Sequence, residues 1–284
     1  MAGAGMGGTM AGAGMGGTGG SAAGQGGTMA GAGMGGQGGT AGTGGTPGGI
    51  LAHRYSFTGS GTMAMDSVGT AHGTIVGGTQ SGGVVTLMGG TSDQYVQLPS
   101  NVLAGLTVAT FEAWVTWTGG TSNWQRIFDF GNSDAGGGAQ GSTNSASPYI
   151  FLTPRAQNTT NPNCTNATTG MPRVAITANG PTAEDCAFGT TAFPMSTMTH
   201  VAAVIDGSSV TLYIGGMPAG TPATQNTSLS AVAGYDNNWL GRSQFSNDTE
   251  YAGTISEFRI YNTARTASQI TTSAGNGPDS APTQ

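Results

Sequence analysis

Between Leu51 and Tyr261 the chain is a succession of short segments whose apolar residues recur at every second position, with turn-forming residues between them. Sustained 3.6-residue periodicity is missing, and helix formers such as Glu, Lys and Leu are scarce. A period of two is that of a strand with one buried face, so the segment predicts an all-β sandwich or barrel. LAHRYSF (51–57) places Leu51, Tyr55 and Phe57 on one face and Arg54 and Ser56 on the other. TVATFEAWVTW (107–117) sets Phe111, Ala113, Val115 and Trp117 against Glu112, Trp114 and Thr116. VVTLMGG (84–90) and QYVQLP (94–99) flank a turn and read as a hairpin. RIFDFG, YIFLTP, RVAITA, MTHVAAVI, VTLYIGG and NWLGR follow as further strands. In GTISEFRIYN (253–262), Phe258 and Ile260 face one way and Glu257, Arg259 and Tyr261 the other. The polar face is expected in solvent, with Glu257 and Arg259 as a solvated cross-strand pair of little energetic weight. TARTASQI then predicts one short helical turn capped by Thr263.

The glycine that dominates the composition (54 of 284 residues) is concentrated at the start. Residues 1–49 repeat a unit of about nine residues, MAGAGMGGT, built from Gly, Ala, Met and Thr. Its single Met side chains cannot form a core to offset the ordering entropy of so much glycine, so the segment reads as a flexible tether, about 35–40 Å end to end as a random coil. Its regularity leaves a self-associating glycine fibre as the other reading. Residues 275–284, GNGPDSAPTQ, read as a short linker, which leaves 50–274 as one domain. All seven basic residues are Arg, and the net charge is −6, which argues against nucleic acid or an anionic membrane as partner. No apolar run approaches the ~20 residues of a membrane span. No charged segment followed by an apolar run opens the chain, so no secretory signal is read there.

The segments NWQRIFDFGNS, YIFLTP, RVAITA, MTHVAAVIDGSSVTLYIGG, NNWLGRS and YAGTISEFRIYN, taken in order, resemble the bacterial laminin-G-like domains of the concanavalin A-like lectin/glucanase superfamily. The resemblance extends over about residues 50–272. It implies a two-sheet antiparallel jelly-roll sandwich of twelve to fourteen strands, with the first and last strands adjacent. It also implies a calcium ion as possible cofactor. Asp66 matches the aspartate of the loop after the first strand, and Glu257 the acidic pair near the last, where Ser256 stands in place of one carboxylate. Asp134 is a second candidate ligand on a rim loop; for both, a solvated turn aspartate is the alternative. His200 matches a histidine with a structural, hydrogen-bonded place at the sheet surface.

Against that pattern the chain carries insertions on either side of RVAITA, and these hold its two cysteines, Cys164 and Cys186. A disulfide between them is expected, with two buried thiols as the alternative. Two thiols with no nearby His make a poor zinc site. A disulfide in turn suggests an extracellular or cell-surface location. The glucanases of the superfamily alternate carboxylates along one strand as E-x-D-x-x-E, and no such run occurs; Glu112 and Glu257 stand singly. The expected function is therefore a non-catalytic module recognising carbohydrate or a glycoprotein, with a structural or adhesive protein–protein domain, or an accessory domain of a secreted glycoside hydrolase, as alternatives. Candidate ligand-binding residues are those of the polar, aromatic loops: Trp124, Asp134, Asn144, Tyr235, Asp236, Asn237 and Trp239. The two tryptophans read equally as core residues beside strand starts.

Overall fold

The computed structural model describes residues 3, 50–143, 147–158, 161–164 and 167–281. The chain divides into two units, Met1–Gly44 and Gly45–Gln284, and every element belongs to the second. The expected tether lies outside the described residues apart from Gly3, and so does Asn144.

Seventeen strands, one α-helix and two short 3-10 turns, Pro181–Ala183 and Leu229–Val232, occur among the described residues. The first six strands are β1 (Leu51–Tyr55), β2 (Met63–Ala64), β3 (Gly73–Val76), β4 (Thr79–Ser81), β5 (Val84–Gly90) and β6 (Tyr95–Leu98). The middle of the chain gives β7 (Ala109–Trp117), β8 (Phe128–Gly131), β9 (Tyr149–Thr153), β10 (Arg173–Thr177), β11 (Asp185–Phe188) and β12 (Thr199–Ile205). Then follow β13 (Ser209–Ile214), β14 (Met217–Pro218), β15 (Ala223–Thr224), β16 (Asn237–Leu240), β17 (Glu250–Tyr261) and the helix α1 (Ala267–Asn276). One sheet runs β14-β13-β12-β7-β17-β5-β4, with β1 paired to β17 and β15 to β13; the other runs β11-β10-β9-β8-β16-β6-β3-β2. Strands pair antiparallel throughout, and the first and last strands are neighbours as expected. The count exceeds twelve to fourteen because β2, β4, β14 and β15 are only two or three residues long.

The core fills the space between the inner faces. Phe111 of β7, Phe128 and Phe130 of β8 and Phe258 of β17 form one ring cluster, with centroids 4.9 to 5.9 Å apart. Burying each such ring contributes about 2–3 kcal/mol, and tilted or edge-on contacts suit their quadrupoles. Along β17 both Ile255 and Phe258 reach the core although they are three apart. The register slips between Ile255 and Glu257, and this bulge switches which positions face inward.

Two expectations of the strand pattern are corrected. VVTLMGG and QYVQLP are not a hairpin: β5 pairs with β4 and β17 in one sheet, β6 with β3 and β16 in the other. Val85 and Leu87 enter the core from one layer, Val96 and Leu98 from the other, so the same alternation serves a crossover at the sandwich edge. Gly89 makes that crossover possible, with φ 72° and a backbone so close to Ala252 that a Cβ would collide.

The second correction concerns the outer face of β17. Glu257 and Arg259 are not solvated; both are 0% exposed. The helix α1, capped by Thr266 rather than Thr263 in a reciprocal pairing with Gln269, lays Ile270 against Ala202, Val204 and Tyr213. The chain after it, expected to be a linker from residue 275, stays on the same face: the Asp279 amide donates to Glu257 Oε2 (2.6 Å) and Arg259 Nη2 to the Ser280 carbonyl (2.8 Å). His200 is buried there too, its ring 4.8 Å from that of Trp114 and its Nε2 3.6 Å from Glu112. It makes no hydrogen bond at the sheet surface.

Candidate functional site

On the second sheet, cross-strand partners share a face. Cys186, Ala175, Phe151, Asp129, Trp239 and Gln97 therefore form one row across its outer side. Their sequence neighbours Val174, Leu152, Phe128 and Leu240 fill the core. Arg173 is one step along on β10, opposite Phe188 and Thr153. The loop before β8 brings Trp124 over this face: its backbone is left-handed (φ 66°) and its amide donates to the Arg155 carbonyl at 2.8 Å. Trp124, Arg126, Phe151, Asn158, Arg173, Pro181, Glu184, Phe245 and Asp248 thereby enclose a cavity of about 200 Å³.

Charge in this cavity is paired. Arg126 lies over the Phe151 ring (4.0 Å to the centroid) and donates from Nε to Asp129 and from Nη2 to Asp248, both at 3.0 Å. Its Nη1 donates to the Trp124 carbonyl at 2.8 Å. The Arg173 guanidinium stands 4.7 Å from the ring centroids of both Trp124 and Phe188. It donates to the Gln157 carbonyl (2.6 Å) and at 3.5 Å to Glu184, whose other oxygen accepts from the Tyr149 hydroxyl at 2.9 Å. Two buried polar atoms of this layer, Arg173 Nε and Asp129 Oδ1, have no hydrogen-bond partner.

Burial sets the ionisation. It lifts Asp129 to about 7 against the pull of Arg126, and it lifts Glu184 and Asp248 above the usual carboxylate range. Burial also brings Arg173 down to about 10 despite Glu184. The cavity thus offers guanidinium donors and carboxylate acceptors at fixed positions beside the Trp124 and Phe245 rings. This is a surface suited to hydroxyl groups on an apolar frame.

Of the residues singled out in the loops, Trp124 lines this cavity. Trp239 is buried on the outer face, not in the core; its Nε1 donates to Gln97 Oε1 (2.6 Å), and Arg242 covers it at 4.8 Å. Asn237 is buried and ties down the neighbouring loop, accepting from the Gly138 amide and donating to the Gly136 and Ala139 carbonyls. The carbonyls of Tyr235 and Asp236 accept from Asn238 and Gln97, and Asp134 accepts from Ser142 and Thr143 within its own loop. Arg126, Phe151, Arg173, Glu184, Phe245 and Asp248 were not singled out. For Phe151 and Arg173 the signal was alternation, since in YIFLTP and RVAITA they take outward positions; Arg126, Glu184, Phe245 and Asp248 lie outside the strands, where alternation gives no signal.

Cys164 and Cys186 form the expected disulfide, with Cα atoms 5.0 Å apart. It packs with Tyr149, Phe151 and Ala175, and Trp124 lies against the same cluster. Two of the residues expected to hold calcium, Asp66 and Glu257, do not fit a cation. Asp66 Oδ1 accepts the amides of Arg54, Val68 and Gly69, and Oδ2 faces His53 Nδ1 (2.7 Å) and the Ala71 amide. Glu257 accepts Arg54 Nε (2.8 Å) and Nη2 (3.0 Å), Arg259 Nε and the Asp279 amide. Each carboxylate is ringed by N–H donors, and at Glu257 a guanidinium already supplies the positive charge. Among the described residues, metal-ligand types converge at Cys164, Glu184 and Cys186, where both sulfurs are spent in the disulfide.

The two antiparallel sheets define a jelly-roll β-sandwich domain. The chain belongs to the concanavalin A-like lectin/glucanases superfamily, whose sequence model matches residues 89–271. No curated protein matches the sequence. Among solved structures, it is similar to domain 4 of AbnA, an extracellular family GH43 arabinanase of Geobacillus stearothermophilus solved with arabinotriose. That match has 22% identity over 79% of this chain and 98% of that one, with a TM-score of 0.55. It is also similar to Trypanosoma rangeli sialidase, at 14% identity, 80% of this chain and TM-score 0.56; the chain spans about a third (32%) of that enzyme. No helix among the described residues is long and apolar enough to cross a membrane.

Proposed function

We propose that the domain is a non-catalytic, exported carbohydrate-binding module that holds its sugar in the cavity formed by Trp124, Arg126, Arg173, Glu184 and Asp248. One observation carries this reading: two arginines, 2% and 1% exposed, sit beside aromatic rings in a cavity whose buried carboxylates pair them. Burying such charges is costly and is justified where their remaining donors and acceptors meet a ligand. The shared fold with an arabinanase domain solved with arabinotriose supports the sugar class, and the disulfide supports an oxidising, extracellular setting. The pairing supports binding rather than hydrolysis. Asp129 and Asp248 are tied to Arg126, and Glu184 to Arg173 and Tyr149, so each carboxylate is engaged by a neighbour rather than presented free to a glycosidic oxygen.

The test is calorimetric titration with a panel of soluble plant and bacterial polysaccharides, alongside assays for reducing-sugar release. Trp124→Ala and Asp248→Asn should each weaken binding about tenfold or more, ~1.4 kcal/mol, measured at a temperature where circular dichroism shows both variants folded. No turnover is expected. Binding that both variants leave intact, or release of reducing sugar by the wild type, would overturn the proposal.

A further inference from the structure

A second cavity lies beside the first, on the far side of Arg173. It measures about 660 Å³ and is lined by Asn163, Met171, Phe188, Thr190, Thr224 and Asn226, among others, with no charged side chain in its wall. Its walls are built. Residues 161–164 of the insertion are held by the disulfide and by Asn161, whose Nδ2 donates to the Glu184 carbonyl at 3.1 Å. On the opposite side, Asp185 accepts the amides of Asn226 (2.8 Å) and Thr227 (2.7 Å) and the Asn226 side chain (2.8 Å). The Thr190 amide donates to the Ala219 carbonyl at 2.9 Å.

The two cavities share a partition. Arg173 touches the Trp124 ring, in the charged cavity, and the Phe188 ring, in the neutral one, at the same 4.7 Å. Glu184 lines the first and Cys186, two residues on, the second. Neighbouring strands are about 4.8 Å apart, so the path from β9 over β10 to β11 joins both cavities across two strand spacings. The charged cavity alone is smaller than the about 300–1,000 Å³ of ordinary ligand pockets, while the neutral cleft falls within that range. A ligand confined to the first would leave the larger, preformed part of the surface unused.

Resting on the proposed sugar site, we infer that its ligand is a neutral oligosaccharide that fills the charged cavity with one unit and runs past Arg173 into the neutral cleft. Neutrality follows from the pairing. Arg126 is met by Asp129 and Asp248 and Arg173 by Glu184, so no cation is left over for an acidic sugar. The cleft adds no charge, and its polar side chains are hydroxyls and amides. Edge-strand pairing with a peptide is disfavoured, because the backbone at Gly220 runs so close to the Phe188 carbonyl that a Cβ there would collide.

The experiment titrates the intact chain with neutral arabino-, xylo- and gluco-oligosaccharides from disaccharide to hexasaccharide, and with sialyllactose and oligogalacturonate as acidic counterparts. Affinity for one neutral series should rise tenfold or more with length and then level off. Thr224→Trp, which fills the cleft from an exposed position, should abolish that gain and spare the disaccharide. Trp124→Ala should weaken every length. Tighter binding of the acidic sugars, affinity independent of length, or a gain that survives Thr224→Trp overturns the inference; if Trp124→Ala still weakens binding, the sugar site itself stands. Binding of no sugar at all overturns both.

Discussion

Replacing Glu257 with Gln discriminates a buried charge cluster from the solvated pair that the strand pattern suggests. The carboxylate accepts both ends of the Arg54 guanidinium, the Arg259 Nε and the Asp279 amide. Arg259 is 0% exposed and stacks 4.5 Å from the Trp114 ring, so once its counter-charge is neutralised no water can replace it. Breaking a buried pair from one side costs about 3–5 kcal/mol, and a Gln that keeps one acceptor oxygen falls at the lower end, about 3 kcal/mol. For a domain of this size each kcal/mol shifts the melting temperature by about 2–4 °C, which gives a fall of about 6–12 °C. Urea titration followed by circular dichroism at pH 7 reads the free energy directly. Arg259→Met added to Glu257→Gln should recover part of the loss, because it removes the stranded charge. A penalty for Glu257→Gln under about 1 kcal/mol, the range of an exposed pair, would refute the cluster.

The same carboxylate makes the effect depend on pH. Burial alone raises it, but hydrogen bonds from Arg54 and Arg259 outweigh burial and hold it below its ordinary 4.5. A depressed acid stabilises fully above its unfolded value and loses that contribution as pH falls through its folded value. The gap between wild type and Glu257→Gln should therefore be constant from pH 6 upward and close below 4.5.

Other consequences are independent of that cluster. Asp129 is raised to about 7 by burial, so its contribution is largest below its ordinary 3.8 and fades as pH climbs from there to 7. Asp66, held low against burial by hydrogen bonds from His53 and backbone amides, and Glu112, held low against burial by the neighbouring His200 and Arg265 and a hydrogen bond from Ser273, lose theirs only in acid. Urea midpoints should therefore be higher at pH 5.5 than at pH 8, and a midpoint that keeps rising toward pH 8 contradicts the placement of Asp129. Replacing both Cys164 and Cys186 with Ser opens a loop of 22 residues, which in the chain-entropy model costs about 3 kcal/mol. It should also weaken sugar binding, since Glu184 is held between the two cysteines. Because Asp66 and Glu257 are enclosed by N–H donors, millimolar calcium and excess chelator should both leave the melting temperature unchanged; a rise with calcium would restore the cation site.

Sequence alternation reports which side chains point together, not what lies above them. Phe111, Ala113, Val115 and Trp117 could be placed on the core face because a period of two identifies one apolar side of a strand. The adjacency of β1 and β17 was legible only through the family resemblance. Nothing in VVTLMGG or QYVQLP distinguishes a hairpin from a crossover, because both need the same inward residues. The larger misreading was to equate a polar face with a solvated one. At β17 that hid the burial of Glu257 and Arg259 beneath α1, a helix that brings little more than Ile270 as an apolar anchor. On the second sheet it hid Arg126 and Arg173, and with them most of the cavity. The missing signal lay in the scarcity of charge. With seven arginines and no lysine in 284 residues, Thr, Ser and Asn carry solubility, and charged side chains are not needed on the surface. Four of the seven, Arg126, Arg173, Arg259 and Arg265, are 3% exposed or less, and each guanidinium lies over an aromatic ring. In a chain so poor in charge, an arginine beside an aromatic is evidence that something covers it: a helix on one sheet, and on the other the walls of a cavity.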